Sequence, residues 1–369
     1  MSLDVELARF VLLVSVIVVA VLYVRTQQVT GGTFTPGYVA ILLFAGEWAV
    51  LGSVVVFTVL TVAVVRLVVV RWAVVTKPWV YGLGVVVSTT SHAVMRGVLE
   101  LWDAPPSLSL FVVVGLYVTP GLIAYDLIHQ GFRRTTRAVA LAVAVTAAIA
   151  SPVLLLGFAP KGPSLSFQGR IDPDWWWLGA TVAVWATLAL RMARGLATAG
   201  YVGALFLVEV ARWDTVLILL ACCVAGAGVT AIVVRRVILT PRLRFQFAVV
   251  IGAATAWTAI YWGQRLGIDG AVALDAFTLE PLLIVGLVSA DLVRTRPWRS
   301  VVGVLAATGL IVAALLATAL PPAGTVVGVA LVLLVVLAIA RPAITLLFRA
   351  EAAAVDAGRA AAGLPPVGT

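Results

Sequence analysis

The chain has little charge, little sulfur and almost no histidine. Charged residues make up 11% of its 369 positions and apolar residues 63%. So few charges cannot cover the surface of a water-soluble protein of that composition, and the bilayer must act as the solvent. With two histidines and two cysteines, no His/Cys/Asp/Glu spacing matches a metal-ligand pattern, and no Ser–His–Asp or Cys–His order can be inferred. Cys222 and Cys223 adjoin inside an apolar run, which fits packing rather than a disulfide. There is no G-x-x-x-x-G-K-[ST] loop or other phosphate cradle. No catalytic residue, metal or cofactor is therefore assigned. No small-residue cleavage site follows the first apolar run near Leu7, so that run is expected to be a retained span.

What is there comes twice. Pro36-Gly37-Tyr38 returns as Ala199-Gly200-Tyr201, Arg71 to Tyr81 as Arg235 to Phe245, and Pro120 to Leu127 as Val285 to Leu292, at spacings of 163 to 165. Three matches in order imply a tandem duplication. Apolar runs predict an all-α, polytopic membrane protein with about 13 spans: 8–24, 36–50, 51–70, 80–97, 108–128, 138–157, 175–193, 198–212, 213–234, 245–263, 277–293, 300–319 and 325–347. That is two six-span repeats (5–158 and 175–320) joined by a linker (159–174), an extra span within 321–348, and a tail (349–369). An even number of crossings per unit makes the repeats parallel. Segments 36–50 and 198–212 reach only roughly 22 Å as helix against a core of about 30 Å, which marks them as candidates for re-entrant or broken helices.

Basic residues set the expected orientation. Clusters at Arg66, Arg71 and Lys77; Arg133, Arg134 and Arg137; Arg191 and Arg194; Arg235, Arg236, Arg242 and Arg244; Arg294, Arg296 and Arg299; and Arg341 and Arg349 all fall on one side of these spans. The positive-inside rule places that side in the cytoplasm of a cell membrane, with the N-terminus outside and the C-terminus inside. Split among short loops, the net charge of +9 does not suggest nucleic-acid binding. Trp175-Trp176-Trp177 fits an outer interfacial anchor, the alternative being a stacking platform for a polymer.

Gly31 to Leu43 (GGTFTPGYVAILL), the basic turn from Arg71 to Lys77 and Thr119 to Gly131 (TPGLIAYDLIHQG) resemble the small membrane subunit of poly-γ-glutamate synthase, the CapC/PgsC family of capsule biosynthesis. The first unit covers that family's whole length, and the second is a degenerate copy. The resemblance implies a non-catalytic subunit that anchors a cytoplasmic Mur-ligase-like, ATP-dependent amide ligase, works with an extracellular partner, and guides an anionic polyamide across the membrane. A homo-oligomer is compatible with it. A stand-alone transporter or flippase, and a scaffold without a pathway, are the other readings.

On that resemblance the motif residues Pro36, Gly37, Tyr38, Pro120, Gly121, Asp126, His129, Gln130 and Gly131, with Gly200, Tyr201, Gly286 and Asp291 of the second unit, are expected to contact the partner or the polymer. Asp126 and His129, three apart, share a helix face. Asp126 either pairs with His129, Arg133 or Arg134 to fix a helix end or forms part of a docking patch, and Asp291 with Arg294 repeats the arrangement. Arg71, Lys77, Arg133, Arg134, Arg235, Arg244 and Arg294 are candidates for a basic cytoplasmic mouth, because guanidinium groups bind carboxylates in pairs of hydrogen bonds; positive-inside topology alone explains them too. Glu47 and Glu209 are read as water-exposed interfacial residues or as the mouth of a polar path. His92 is expected to be a hydrogen-bonded core histidine.

Overall fold

The computed structural model describes residues 3–72, 77–101, 118–155, 171, 175–200, 203–237, 239–277, 279–321 and 324–341. Within them the chain is all helical, with fourteen helices. They are α1 (Leu3–Thr26), α2 (Thr35–Ala45), α3 (Trp48–Trp72), α4 (Lys77–Leu101), α5 (Thr119–Gln130), α6 (Phe132–Leu155), α7 (Trp176–Arg194), α8 (Gly203–Glu209), α9 (Trp213–Arg236), α10 (Pro241–Arg265), α11 (Asp269–Asp275), α12 (Glu280–Arg294), α13 (Pro297–Thr318) and α14 (Gly324–Arg341). Proline in the first turn opens α2, α5, α10, α12 and α13, where its missing N–H costs nothing.

Eight of these helices are long and apolar enough to cross a bilayer, or nine if the bent pair α11–α12 counts as one span. The protein is a polytopic membrane protein. This is fewer than the thirteen spans read from apolar runs, for identifiable reasons. The run 36–50 breaks at Gly46, whose left-handed conformation ends α2 after 11 residues; α8, within the run 198–212, has 7. At 1.5 Å per residue these reach roughly 16 and 10 Å, well short of the core. The run 277–293 yields only the 15-residue α12, which meets the preceding α11 at a bend of 106°. The polar run Ser88 to His92 interrupts the apolar character of α4. The start of 108–128, the linker apart from Ile171, and the tail lie outside the described residues.

Helices α1–α6 and α7–α13 pack in matching ways. The first helix of each set lies against the second and the last (α1 on α2 and α6; α7 on α8 and α13), and α3 and α4 hold α5 as α9 and α10 hold α12. Between the sets the contacts are reciprocal: α1 packs on α10, and α7 on α4. Such an exchange is the pattern of an isologous, two-fold interface. One core cluster draws on both sets, with Leu12 and Ile41 beside Trp176, Leu205, Leu282 and Ile311. Outward faces are apolar, as at Val55, Val56 and Val59 of α3 and Val326, Leu331 and Leu334 of α14, which suits lipid.

Several sequence expectations change here. Trp176 is not an interfacial anchor: it is 1% exposed and packs against Phe206, and Trp175 and Trp177 are half-buried against the same core. Glu209, the last residue of α8, is buried rather than water-exposed; Glu47 is half-buried. His92 is buried, stacked on Phe57, with Nδ1 2.9 Å from the Ser88 carbonyl oxygen. Cys222 and Cys223 are buried and free.

Candidate functional site

The site is built on two tight turns. After α1 the chain reverses through Thr30-Gly31-Gly32, and after α7 through Thr198-Ala199-Gly200. Both residues after the threonine have positive φ in each turn: 73° and 106° for Gly31 and Gly32, 57° and 71° for Ala199 and Gly200. The threonine hydroxyl donates to the carbonyl of the second residue in each, Thr30 to Gly32 (3.2 Å) and Thr198 to Gly200 (3.1 Å). The helices before them also end alike, on Gln27 and Gly195, both with positive φ.

A carboxylate from a distant helix clamps each turn. Gly31 N–H donates to Asp126 Oδ2 at 2.7 Å, and Ala199 N–H to Asp291 Oδ2 at 2.8 Å. Asp126 thus accepts from a backbone amide, and no hydrogen bond or ion pair to His129, Arg133 or Arg134 is seen. Gln130 completes the first clamp: its side-chain oxygen accepts from Val29 N–H at 3.0 Å and its amide donates to the Val29 carbonyl. Ala199-Gly200 thus resembles Gly31-Gly32 in conformation and in the carboxylate that accepts from its first amide.

Close helix contacts hold the clamps in place. Gly121 of α5 lies so near α4 that an added Cβ would come within 2.6 Å of the Gly84 carbonyl oxygen; on α12, one at Gly286 would come within 3.0 Å of the Val249 carbonyl oxygen. Gly37 faces α1 at Ser15 and Leu12. Pro36 and Pro120 are buried helix starters, and Gly131 (φ 86°) separates α5 from α6. Tyr38 is half-buried against the core. These motif residues shape the scaffold, while Tyr201 lies outside the described residues.

A cavity of about 650 Å³ lies between the two turns. Gly32, Tyr81, Leu122 and Tyr125 line one wall; Arg191, Thr198, Gly200, Leu287, Asp291 and Arg294 line the other, with Phe245. A second cavity of about 400 Å³ adjoins it beside Asp126, His129, Gln130 and Arg242. His129 packs edge-on to Tyr125, and Tyr125 to Tyr81. Arg242 lies over the Tyr23 ring at 4.2 Å, and Arg294 over Phe245 at 5.4 Å.

Of the basic residues expected at a mouth, Arg294 alone is seen lining a cavity. Arg133, Arg134 and Arg235 are exposed and Arg244 is half-buried; the side chains of Arg71 and Lys77 lie outside the described ones. Arg191 and Arg242 line the cavities instead. Helix position was the available signal: Arg191 sits one turn before the end of α7 and Arg242 in the first turn of α10.

A second polar cluster escaped sequence reading altogether. Arg9, with a fully buried side chain, donates to Glu6 (2.8 Å), Asp275 (2.9 Å) and the Phe277 carbonyl (2.9 Å). Trp257 Nε1 donates to Glu6. An arginine inside an apolar run was the signal, since a charge there must be paired. Among the described residues no group of His, Cys, Asp and Glu could hold a metal ion.

Residues 14–136 match the family model described as Capsule biosynthesis CapC. No curated protein and no solved structure matches the chain.

Proposed function

Since residues 14–136 belong to the capsule biosynthesis CapC family, we propose that this polytopic chain is the membrane subunit of a machine that makes and exports an anionic polyamide capsule polymer of the poly-γ-glutamate type. In this reading the chain is a tandem pair of parallel CapC-like units, with α1–α6 as the first and α7–α13 as the second. The reciprocal packing of α1 on α10 and α7 on α4 supports that reading. So do the two turns, which open on one cavity rather than on opposite ends of the bundle. The basic helix ends face the cytoplasm, in line with the positive-inside rule. There they anchor an ATP-dependent amide ligase, which supplies the chemistry, and an extracellular partner receives the product.

The observation that carries the proposal is the cavity between the turns, lined by Arg191 and Arg294 on one wall and Tyr81 and Tyr125 on the other. An acidic chain leaving a cytoplasmic ligase needs a cationic, partly desolvated mouth, where charge-assisted hydrogen bonds are strongest. The test is purification of the full chain from its native membranes in mild detergent. A ligase of the Mur type should come with it, and deletion of the gene should abolish surface polymer. Intact protein that brings no ligase, from cells whose capsule survives the deletion, refutes the reading.

The short or bent elements α2, α8 and α11–α12 favour one other reading, a transporter acting alone. It predicts transport of an anionic substrate by the purified chain in vesicles with no other protein present.

A further inference from the structure

The two walls of the cavity are built on the same scaffold but carry different chemistry. With Gln27 matched to Gly195 and Thr30 to Thr198, Arg191 occupies the position of Tyr23. With Asp126 matched to Asp291, Arg294 occupies the position of His129. A symmetric pair of units would offer two equal half-sites. Here the second wall has gained two guanidinium groups, while the first keeps aromatic rings and a histidine.

Charge is unevenly distributed as a result. On the second wall Arg191 and Arg294 both lie close enough to Asp291 to act on its charge, and one of that carboxylate's oxygens is already engaged by Ala199 N–H. Two cations face one anion, and both arginines are exposed. On the first wall Arg242 faces Asp126 one for one. The surplus positive charge is confined to the second unit.

We propose that the cavity is a polarised binding site for a carboxylate-bearing amide chain, in which Arg191 and Arg294 hold the acid groups while Tyr81 and Tyr125 pack against the uncharged backbone. This rests on the functional reading above and adds to it the residues that hold the acid groups and those that pack on the backbone. Guanidinium groups recognise carboxylates through paired hydrogen bonds. Aromatic rings offer flat apolar area with a polar edge, which suits planar amides. Such a site turns the acid groups of the chain towards one wall, which two identical half-sites could not enforce.

The full-length chain in nanodiscs of zwitterionic lipid provides the test, with a ten-residue γ-linked glutamate oligomer and the matching glutamine oligomer as probes. The glutamate oligomer should bind and the glutamine oligomer should bind at least tenfold more weakly. R191Q/R294Q should weaken glutamate-oligomer binding by about tenfold or more, since hydrogen bonds to charged groups typically contribute a factor of this size. R235Q/R236Q removes the same charge from the exposed end of α9 and should change binding less than about twofold. R191K/R294K guards against misfolding: it keeps the charge, loses the paired geometry and should fall between wild type and R191Q/R294Q. Equal weakening by R191Q/R294Q and R235Q/R236Q would reduce the effect to general surface charge and overturn the proposal, as would equal binding of both oligomers. The functional reading fails separately, by absence of a co-purifying ligase, whatever the oligomers do.

Discussion

Asp126 and Asp291 reach back 95 and 92 residues to hold a backbone N–H. Their clamps hold turns that glycine makes possible after α1 and alanine tolerates after α7. Gly31 has φ 73°, and a Cβ there would come within 2.7 Å of Ile123 Cγ1. Ala199 adopts φ 57° with a Cβ in place; the space comes from Gly203, where an added Cβ would come within 2.6 Å of it. Four residues after Gly31 stands Thr35, donating to the Gly31 carbonyl. The pair of positions accommodates a side chain at one end or the other. We therefore expect G31A to destabilise the protein by about 2–4 kcal/mol, from left-handed strain plus overpacking. A199G should fall within about 1 kcal/mol of wild type, because relief of strain is offset by lost burial and greater freedom of the unfolded chain. Thermal unfolding in detergent, followed by circular dichroism, distinguishes the two; equal midpoints for both variants would count against the paired reading.

Helices α5 and α12 carry the clamps because they approach their neighbours at glycine. Gly121 packs on the backbone of α4 at Gly84 and Val85, and Gly286 on α10 at Val249, the close approach that small residues allow between membrane helices. G121A would place its Cβ 2.6 Å from a carbonyl oxygen and 2.7 Å from Val85 Cα, neither of which is a flexible side-chain end. The helices must separate, and we expect a loss of about 1–3 kcal/mol. Gly309 in α13 has nothing within 4 Å of an added Cβ. G309A should be neutral or stabilising by up to about 1 kcal/mol. Unfolding midpoints that move in opposite directions would assign the cost to packing rather than to helix propensity.

The whole molecule is held together away from the turns as well. Arg9 on α1 binds Asp275 on α11 and the carbonyl of Phe277, and Glu6 binds both Arg9 and Trp257 of α10. These contacts run between helices of the two sets. R9M should remove about 3–5 kcal/mol, because it leaves Glu6 and Asp275 partly buried without their cation. E6Q/R9M/D275N should recover part of that loss, since no uncompensated charge then stays behind. Heat-induced unfolding of the two variants side by side decides the matter, and a triple variant less stable than R9M would contradict the account.

Much of this protein was legible before any fold was known. Sparse charge and long apolar runs required a membrane protein. The GGTFTPGY and TPGLIAYD elements pointed to the family whose model residues 14–136 match. Short apolar segments marked α2 and α8 as irregular, because helix length is a local property that can be counted along the chain. What local pattern could not supply was pairing. That Asp126 holds the Gly31 amide, that Asp291 holds the Ala199 amide in a like way, and that Arg191 rather than Arg235 faces the cavity all depend on contacts across many residues. Only the packed bundle selects them, because in an apolar medium each polar group must find a partner inside the protein, and which partner lies within reach is set by how the helices dock.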